Sequence, residues 1–278
     1  MSYREPLSQC AIAISVSDSP DMAGLGLAPE HLRDAMTEIA RHLLAMGARL
    51  VYGGDLRVNG FTTLLFELVA RHRRDADIGD QRPAILNFLA WPVAASIPPE
   101  DLRRLVSDLR GLATLHVLDR DGGDIPLDAL DAQRPTSFSA DDWAVALTAM
   151  RQRLTAASHA RIVLGGRVQG FKGRMPGIAE EALAALEAGQ PLYLMGGFGG
   201  CARDVAIMLG ALNIPGAPRP GWPEAALFQG FGLPDLQKNG LTADENRTLA
   251  RTVHVDQAIA LILRGLLRLQ QPAQADEA

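Results

Sequence analysis

Short apolar runs alternate with longer segments of helical period along most of this chain, and that alternation constrains the fold more than any other feature. The runs at 11–17, 49–52, 83–91, 114–118, 161–164 and 191–195 are too short for helices. Between them lie stretches such as 29–46, where Leu32, Met36, Ile39, Leu43 and Leu44 recur at the spacing of an amphipathic helix. Further helices are predicted over 62–72, 100–110, 140–158, 178–188 and 202–212. Strands joined through helices run parallel, so the pattern predicts an α/β fold: a Rossmann-like, doubly wound, mostly parallel sheet with helices on both faces.

The polar connection 119–139 offers a domain boundary, but both flanks share the same grammar, so 8–269 is read as one domain and 270–278 as a disordered tail. Pro215, Pro218, Pro220, Pro223 and Pro234, interspersed with glycines, break regular structure across 213–240, which reads as a surface loop or lid. Helical period returns over 242–269, with Thr242 as N-cap and Glu245 completing a capping box. Its apolar stripe suits either an oligomer contact or core packing.

Charge and cysteine content exclude several classes. With 27 basic against 32 acidic residues and no basic run, bulk electrostatic binding to nucleic acid or to an anionic membrane is not expected. No stretch has the roughly 18 consecutive apolar residues of a membrane helix, the N-terminus lacks the apolar core of a signal peptide, and a cytoplasmic location is expected. Cys10 and Cys201 are too few for a disulfide framework. Among the 27 basic residues only Lys172 and Lys238 are lysine, which makes their positions informative.

Three strands end in paired glycines: Gly53-Gly54, Gly165-Gly166 and Gly196-Gly197. In a parallel sheet these ends share one edge, where ligands bind. Glycine admits close backbone approach there, and the following helix N-terminus favours an anion, so a phosphate-bearing small molecule is expected. The six residues from Gly197 through Gly199 to Ala202 match GxGxxA, but no acidic residue follows at the distance a dinucleotide fingerprint needs. No Walker motif, zinc-binding HExxH or GxSxG elbow occurs, and no metal or cofactor beyond the ligand is called for. Cys201 has two readings, a thiol activated near a helix N-terminus or a small residue packed under a glycine turn.

The richest segment is 165–182, GGRVQGFKGRMPGIAEEA. Arg167, Lys172 and Arg174 lie among glycines, including Gly173, ahead of a helix opened by Pro176 and Gly177. Glu180 and Glu181 follow, and because helical neighbours point about 100° apart, one of them is expected to face the crevice and bind ribose. Asp55, Arg57, Ser15 and Ser17 would line the same crevice. Lys172→Ala is expected to remove stabilisation by ligand while leaving the unliganded protein's stability nearly unchanged.

These residues, with 52–55 (YGGD), 195–200 (MGGFGG) and the C-terminal Asn239-Gly240-Leu241-Thr242 with Glu245-Asn246, resemble the SLOG superfamily. That superfamily comprises Rossmann-like domains related to LOG phosphoribohydrolases and DprA, with the bacterial group associated with TIR or SIR2 effectors the nearest in kind. The resemblance implies a domain binding nucleotides or NAD-derived metabolites such as ADP-ribose, often as a homo-oligomer, and signalling here to a separate effector protein. It also implies an alternative, a LOG-like phosphoribohydrolase acting on nucleoside monophosphates with Glu181 as catalytic carboxylate and Arg167 or Arg174 assisting. LOG enzymes carry PGGxGTxxE; here Ile178 stands at the threonine, and nine residues separate the glycine pair from Pro176. The missing hydroxyl favours sensing over catalysis.

Overall fold

Each apolar run becomes a strand of a single sheet in the computed structural model, which describes residues 5–54, 56, 60–75, 82–129, 135, 137–216 and 220–271. The strands β1 (Ala11–Ser17), β2 (Arg49–Gly53), β3 (Ile85–Leu89), β4 (Ala113–Val117), β5 (Ala160–Gly165) and β6 (Leu192–Met195) are all parallel. Their order is β4-β3-β2-β1-β5-β6, the Rossmann-like α/β arrangement that the alternation predicts. The main covering helices are α1 (Pro29–Ala45), α2 (Phe61–Asp75), α3 (Trp91–Ala95), α4 (Pro99–Asp108), α5 (Ala140–Ala156), α6 (Gly177–Glu187) and α7 (Gly200–Met208). Among the described residues no helix is long and apolar enough to cross a membrane.

Side-chain alternation along β1 decides which face each residue serves. Ile12, Ile14 and Val16 join the core beneath α1 and α2, whereas Ala11 and Ala13 pack towards Met150 and Leu154 of α5. Small residues on that second face let α5 approach closely. Ser15 continues the second face and so points at α6, where its buried hydroxyl donates to Glu181.

Three segments depart from the sequence reading. The run at 83–91 stops as a strand at Leu89, and Trp91 opens α3 instead, because Pro92 suits the first turn of a helix and cannot donate to a ladder. The helical stretch at 242–269 is two helices, α9 (Ala243–Arg251) and α10 (Val255–Gln270). Between them Thr252 is extended and its hydroxyl accepts the His254 N–H at 3.1 Å, a local bond that competes with the helix. The region 213–240 is also not irregular throughout. It forms short helical turns, including α8 (Leu233–Leu236), and buries Trp222, Phe228 and Leu236 beside α7.

The end of that region is moored at the amino end of β6. Asn239 is fully buried, donates to the Leu192 carbonyl at 2.8 Å and to Asn246 at 2.8 Å, and accepts the Leu241 N–H at 2.9 Å. The Tyr193 hydroxyl donates to the Asn239 carbonyl at 2.8 Å. The Asn-Gly-Leu-Thr motif is therefore a structural fastening that joins β6 to the C-terminal helices.

The capping box forms as read: Thr242 accepts the Glu245 N–H, and Glu245 accepts the Thr242 N–H. Glu245 also accepts from Arg264 at 2.8 Å and Arg268 at 2.7 Å, tying α9 to α10. Arg268, the Thr242 N–H and Arg264 together hold its carboxyl at about 2, below the ordinary glutamate value of 4.5. A carboxylate depressed in the folded state stabilises it fully above the unfolded value and loses that contribution as pH falls through the folded one. Glu245→Gln keeps a capping acceptor but removes the charge. Its melting temperature should lie below that of the parent at pH 7, and thermal melts should show the gap closing between pH 4.5 and pH 2.

Candidate nucleotide crevice

The sheet reverses its order of growth at β1, whose neighbours β2 and β5 are reached by crossovers on opposite faces. Such a switch point splays the loops at the carboxyl ends and opens a crevice. Two adjoining cavities, of 190 and 180 Å³, occupy it and share Val16, Ser17, Tyr52 and Gly53. Neither alone reaches the roughly 300 Å³ of a small-molecule pocket, so a nucleotide-sized ligand has to occupy both. The first is lined also by Ser15, Arg151, Gly177 and Glu181, the second by Asp18, Gly54, Phe61 and Arg167. A cavity of 330 Å³ between α1 and α2 is lined by Glu30, Asp34 and Glu67 with Arg33, a balance that repels phosphate.

Glu181 is the glutamate that faces the crevice. Its Oε2 accepts from the Ser15 hydroxyl and from Arg161 Nη1 at 2.7 Å, and Arg151 Nε stands 3.8 Å from its Oε1. Glu180 turns to α5 instead, accepting from Thr148 and from Arg151. The helical offset between adjacent residues thus separates the two as expected, one into the cavity and one onto the neighbouring helix.

Arg161 is the largest of the fully buried side chains, and it sits inside β5. Parallel strands covered on both faces are normally apolar, so an arginine there needs compensation. Its Nη1 donates to Ser15 and Glu181 and its Nη2 to Thr155 at 3.2 Å, while Nε has no protein partner. Burial pushes the guanidinium below the ordinary arginine value; Glu181 opposes that shift and Arg151 adds to it. Arg151 Nε likewise has no hydrogen-bond partner although buried, its nearest charge being Glu181 Oε1 at 3.8 Å. Its guanidinium lies over Gly177, where a Cβ would come within 2.6 Å of Nη2, and beside Gly173, where a Cβ would come within 2.8 Å of Nη1. Those glycines make room for an arginine.

The remaining predicted residues divide. Ser15, Ser17, Gly53, Gly54, Arg167, Gly177 and Glu181 line the two cavities; Asp55 and Arg57 lie outside the described residues. Arg167 is exposed and donates to Asp18 at 2.7 Å. Lys172 is exposed too, with its ammonium 3.6 Å from the centre of the Trp143 ring, and Arg174 is exposed. Pro176 is buried at the entry to α6. Gly165 and Gly166 brace the crevice from behind: Gly166 has φ 108° and a Cβ there would meet Ile178 at 2.7 Å.

The third glycine turn is largely occupied by the chain itself. Gly196 and Gly197 pack against backbone carbonyls at the end of α9, and a Cβ on Gly199 would meet the Asp21 carboxylate at 2.5 Å. Asp21 accepts the Gly200 N–H at 2.7 Å, placing a carboxylate of the protein at the N-terminus of α7. Cys201 is fully buried there, and burial pushes its thiol far above the ordinary value, which settles its two readings in favour of packing. Among the described residues no group of three or more His, Cys, Asp or Glu is arranged to hold a metal.

Arg151, Arg161 and Asp21 were not singled out from the sequence. Two carried a legible signal: Arg161 interrupts an apolar strand, and Arg151 takes an apolar position in the stripe formed by Leu147, Met150 and Leu154. An arginine on a core-facing position needs a partner, and Glu180 and Glu181 supply it, the first to Arg151 and the second to Arg161. Removing one member of a buried pair leaves an uncompensated charge, so Arg161→Met should cost about 3 kcal/mol in chemical denaturation. Adding Glu181→Gln to that variant should cost less than the two single losses summed, the non-additivity of a coupled pair.

No curated protein matches this chain. The family model SLOG cluster2 matches residues 6–215, which contain all six strands and every residue lining the crevice. On that match, with the parallel sheet and its switch-point crevice, the chain belongs to the SLOG cluster2 family, a Rossmann-like, nucleotide-related group.

Proposed function

We propose that the domain binds a nucleotide or an ADP-ribose derivative as a sensor, without cleaving it. The observation that carries this reading is the engagement of Glu181. Its Oε2 is committed to Ser15 and to Arg161, so the carboxylate serves the wall of the crevice before it can serve a ligand. A glycosidic-bond hydrolase needs a carboxylate positioned to stabilise charge developing on the ribose. Ile178, at the position of the phosphate-binding threonine, is buried against Gly166 and its side chain supplies no donor.

The phosphates are held in this reading by the Gly53-Gly54 turn and the N-terminus of α6, with Arg151 and Arg167 as counter-charges and Lys172 within reach on a flexible stem. The binding unit runs through 8–269, since α9 packs on β6 and α10 on α1. Its output passes to a separate effector or to the state of a homo-oligomer. A second reading is kept by the Oε1 of Glu181, which lines the cavity beside Gly177 with no hydrogen bond of its own. In it, Glu181 cleaves a nucleoside monophosphate.

The two readings separate when the protein is incubated with AMP, NAD and ADP-ribose while melting temperature and free base are both followed. The sensor should be stabilised and release no base. Release of base that Glu181→Ala abolishes would establish the hydrolase, and no response to any of the three would refute both. Lys172→Ala should reduce the ligand-induced shift, with little change in the unliganded melting temperature, because an exposed cation–π contact contributes only about 0.5–1 kcal/mol.

A further inference from the structure

We propose that Trp143, supported by Phe138 and Trp91, is a base-stacking platform at the rim of the crevice, so that the nucleotide is recognised by its base as well as its phosphate. The inference rests on the nucleotide reading of the crevice and extends it to the part of the ligand that no residue above contacts.

Aromatic residues are scarce in this chain, 8 Phe, 3 Trp and 3 Tyr, yet three of them meet at one place. Trp91 and Phe138 lie edge to face with centroids 4.9 Å apart, and Phe138 and Trp143 do so at 6.4 Å. An edge-to-face contact covers one face of one ring of the pair and leaves the opposite face of that ring open. All three side chains are partly exposed, whereas Trp222 is spent on the core with its indole N–H on Asp204. A ring face is already in use as a binding surface: the Lys172 ammonium lies 3.6 Å from the Trp143 centroid.

The location suits a base. Trp91 follows the carboxyl end of β3 and therefore stands on the ligand edge of the sheet. Trp143 occupies the first turn of α5, and Leu147 and Arg151, which line the deeper cavity, follow it at about 6 and 12 Å along the helix axis. Gly173, next to Lys172, packs on the Arg151 guanidinium, so the rim and the crevice wall are in direct contact. The base takes the Trp143 face on which the ammonium now lies, and the freed ammonium turns to the phosphate. Stacking accepts any base, with purines favoured by their larger π-face.

The test is tryptophan fluorescence and melting temperature during titration with AMP, ADP-ribose and ribose 5-phosphate, the last carrying phosphate and sugar but no base. The nucleotides should quench emission and bind at least tenfold more tightly than ribose 5-phosphate. Trp143→Leu should abolish that advantage while leaving ribose 5-phosphate binding unchanged, and Trp143→Phe should restore most of it. Retention of the advantage in Trp143→Leu, or nucleotides binding no better than ribose 5-phosphate, overturns the platform and leaves the crevice reading intact. If none of the three ligands binds, both readings fall together.

Discussion

The Arg161 guanidinium, buried within strand β5, is the constraint around which the crevice is arranged. Arg161 enters β5 at a position where an apolar side chain would need nothing further. Taking its charge out of water is costly, and the structure offsets that cost by converging three groups on it: Ser15 from β1, Thr155 from the end of α5 and Glu181 from α6. These come from separate stretches of chain, so satisfying one charge fixes the positions of β1, α5 and α6 relative to β5. Those elements are the walls of the deeper cavity.

The same interaction sets the orientation of Glu181. Buried polar networks are rigid when their members are satisfied, and Glu181 obtains its orientation from Ser15 and Arg161. A carboxylate so placed is preorganised and already hydrogen-bonded through its Oε2. Arg151 plays the complementary part. It pairs with Glu180 on one side and stands 3.8 Å from Glu181 Oε1 on the other, so the two glutamates and the two buried arginines form one charge-balanced wall.

Glycine clusters proved to be of two physical kinds. Gly177 and Gly173 make space for the Arg151 guanidinium, and Gly53 and Gly54 line the crevice. Gly196 and Gly197 instead admit the backbone at the end of α9, and the Gly199-Gly200 turn receives Asp21. In sequence Gly53-Gly54 and Gly196-Gly197 look alike, each pair following a strand and preceding a helix. What distinguishes them is which neighbour arrives from elsewhere in the chain, and local sequence carries no record of that.

The alternation of short apolar runs with amphipathic segments was enough to determine the six parallel strands, most of the helices and the edge on which the crevice opens, because parallel connection follows from local period and length. It also placed Glu181, Gly177, Ser15 and Ser17 in one crevice. The capping box at Thr242 and Glu245 was legible for the same reason, being set within four residues. Tertiary structure alone decided which glutamate faces the cavity, that Lys172 rests on Trp143, and that 213–240 folds onto α7 around Trp222 and Phe228. It likewise revealed Arg161 and Arg151 as the organising charges. Each of these depends on a partner tens of residues away, and charge compensation and packing are settled only when such partners meet.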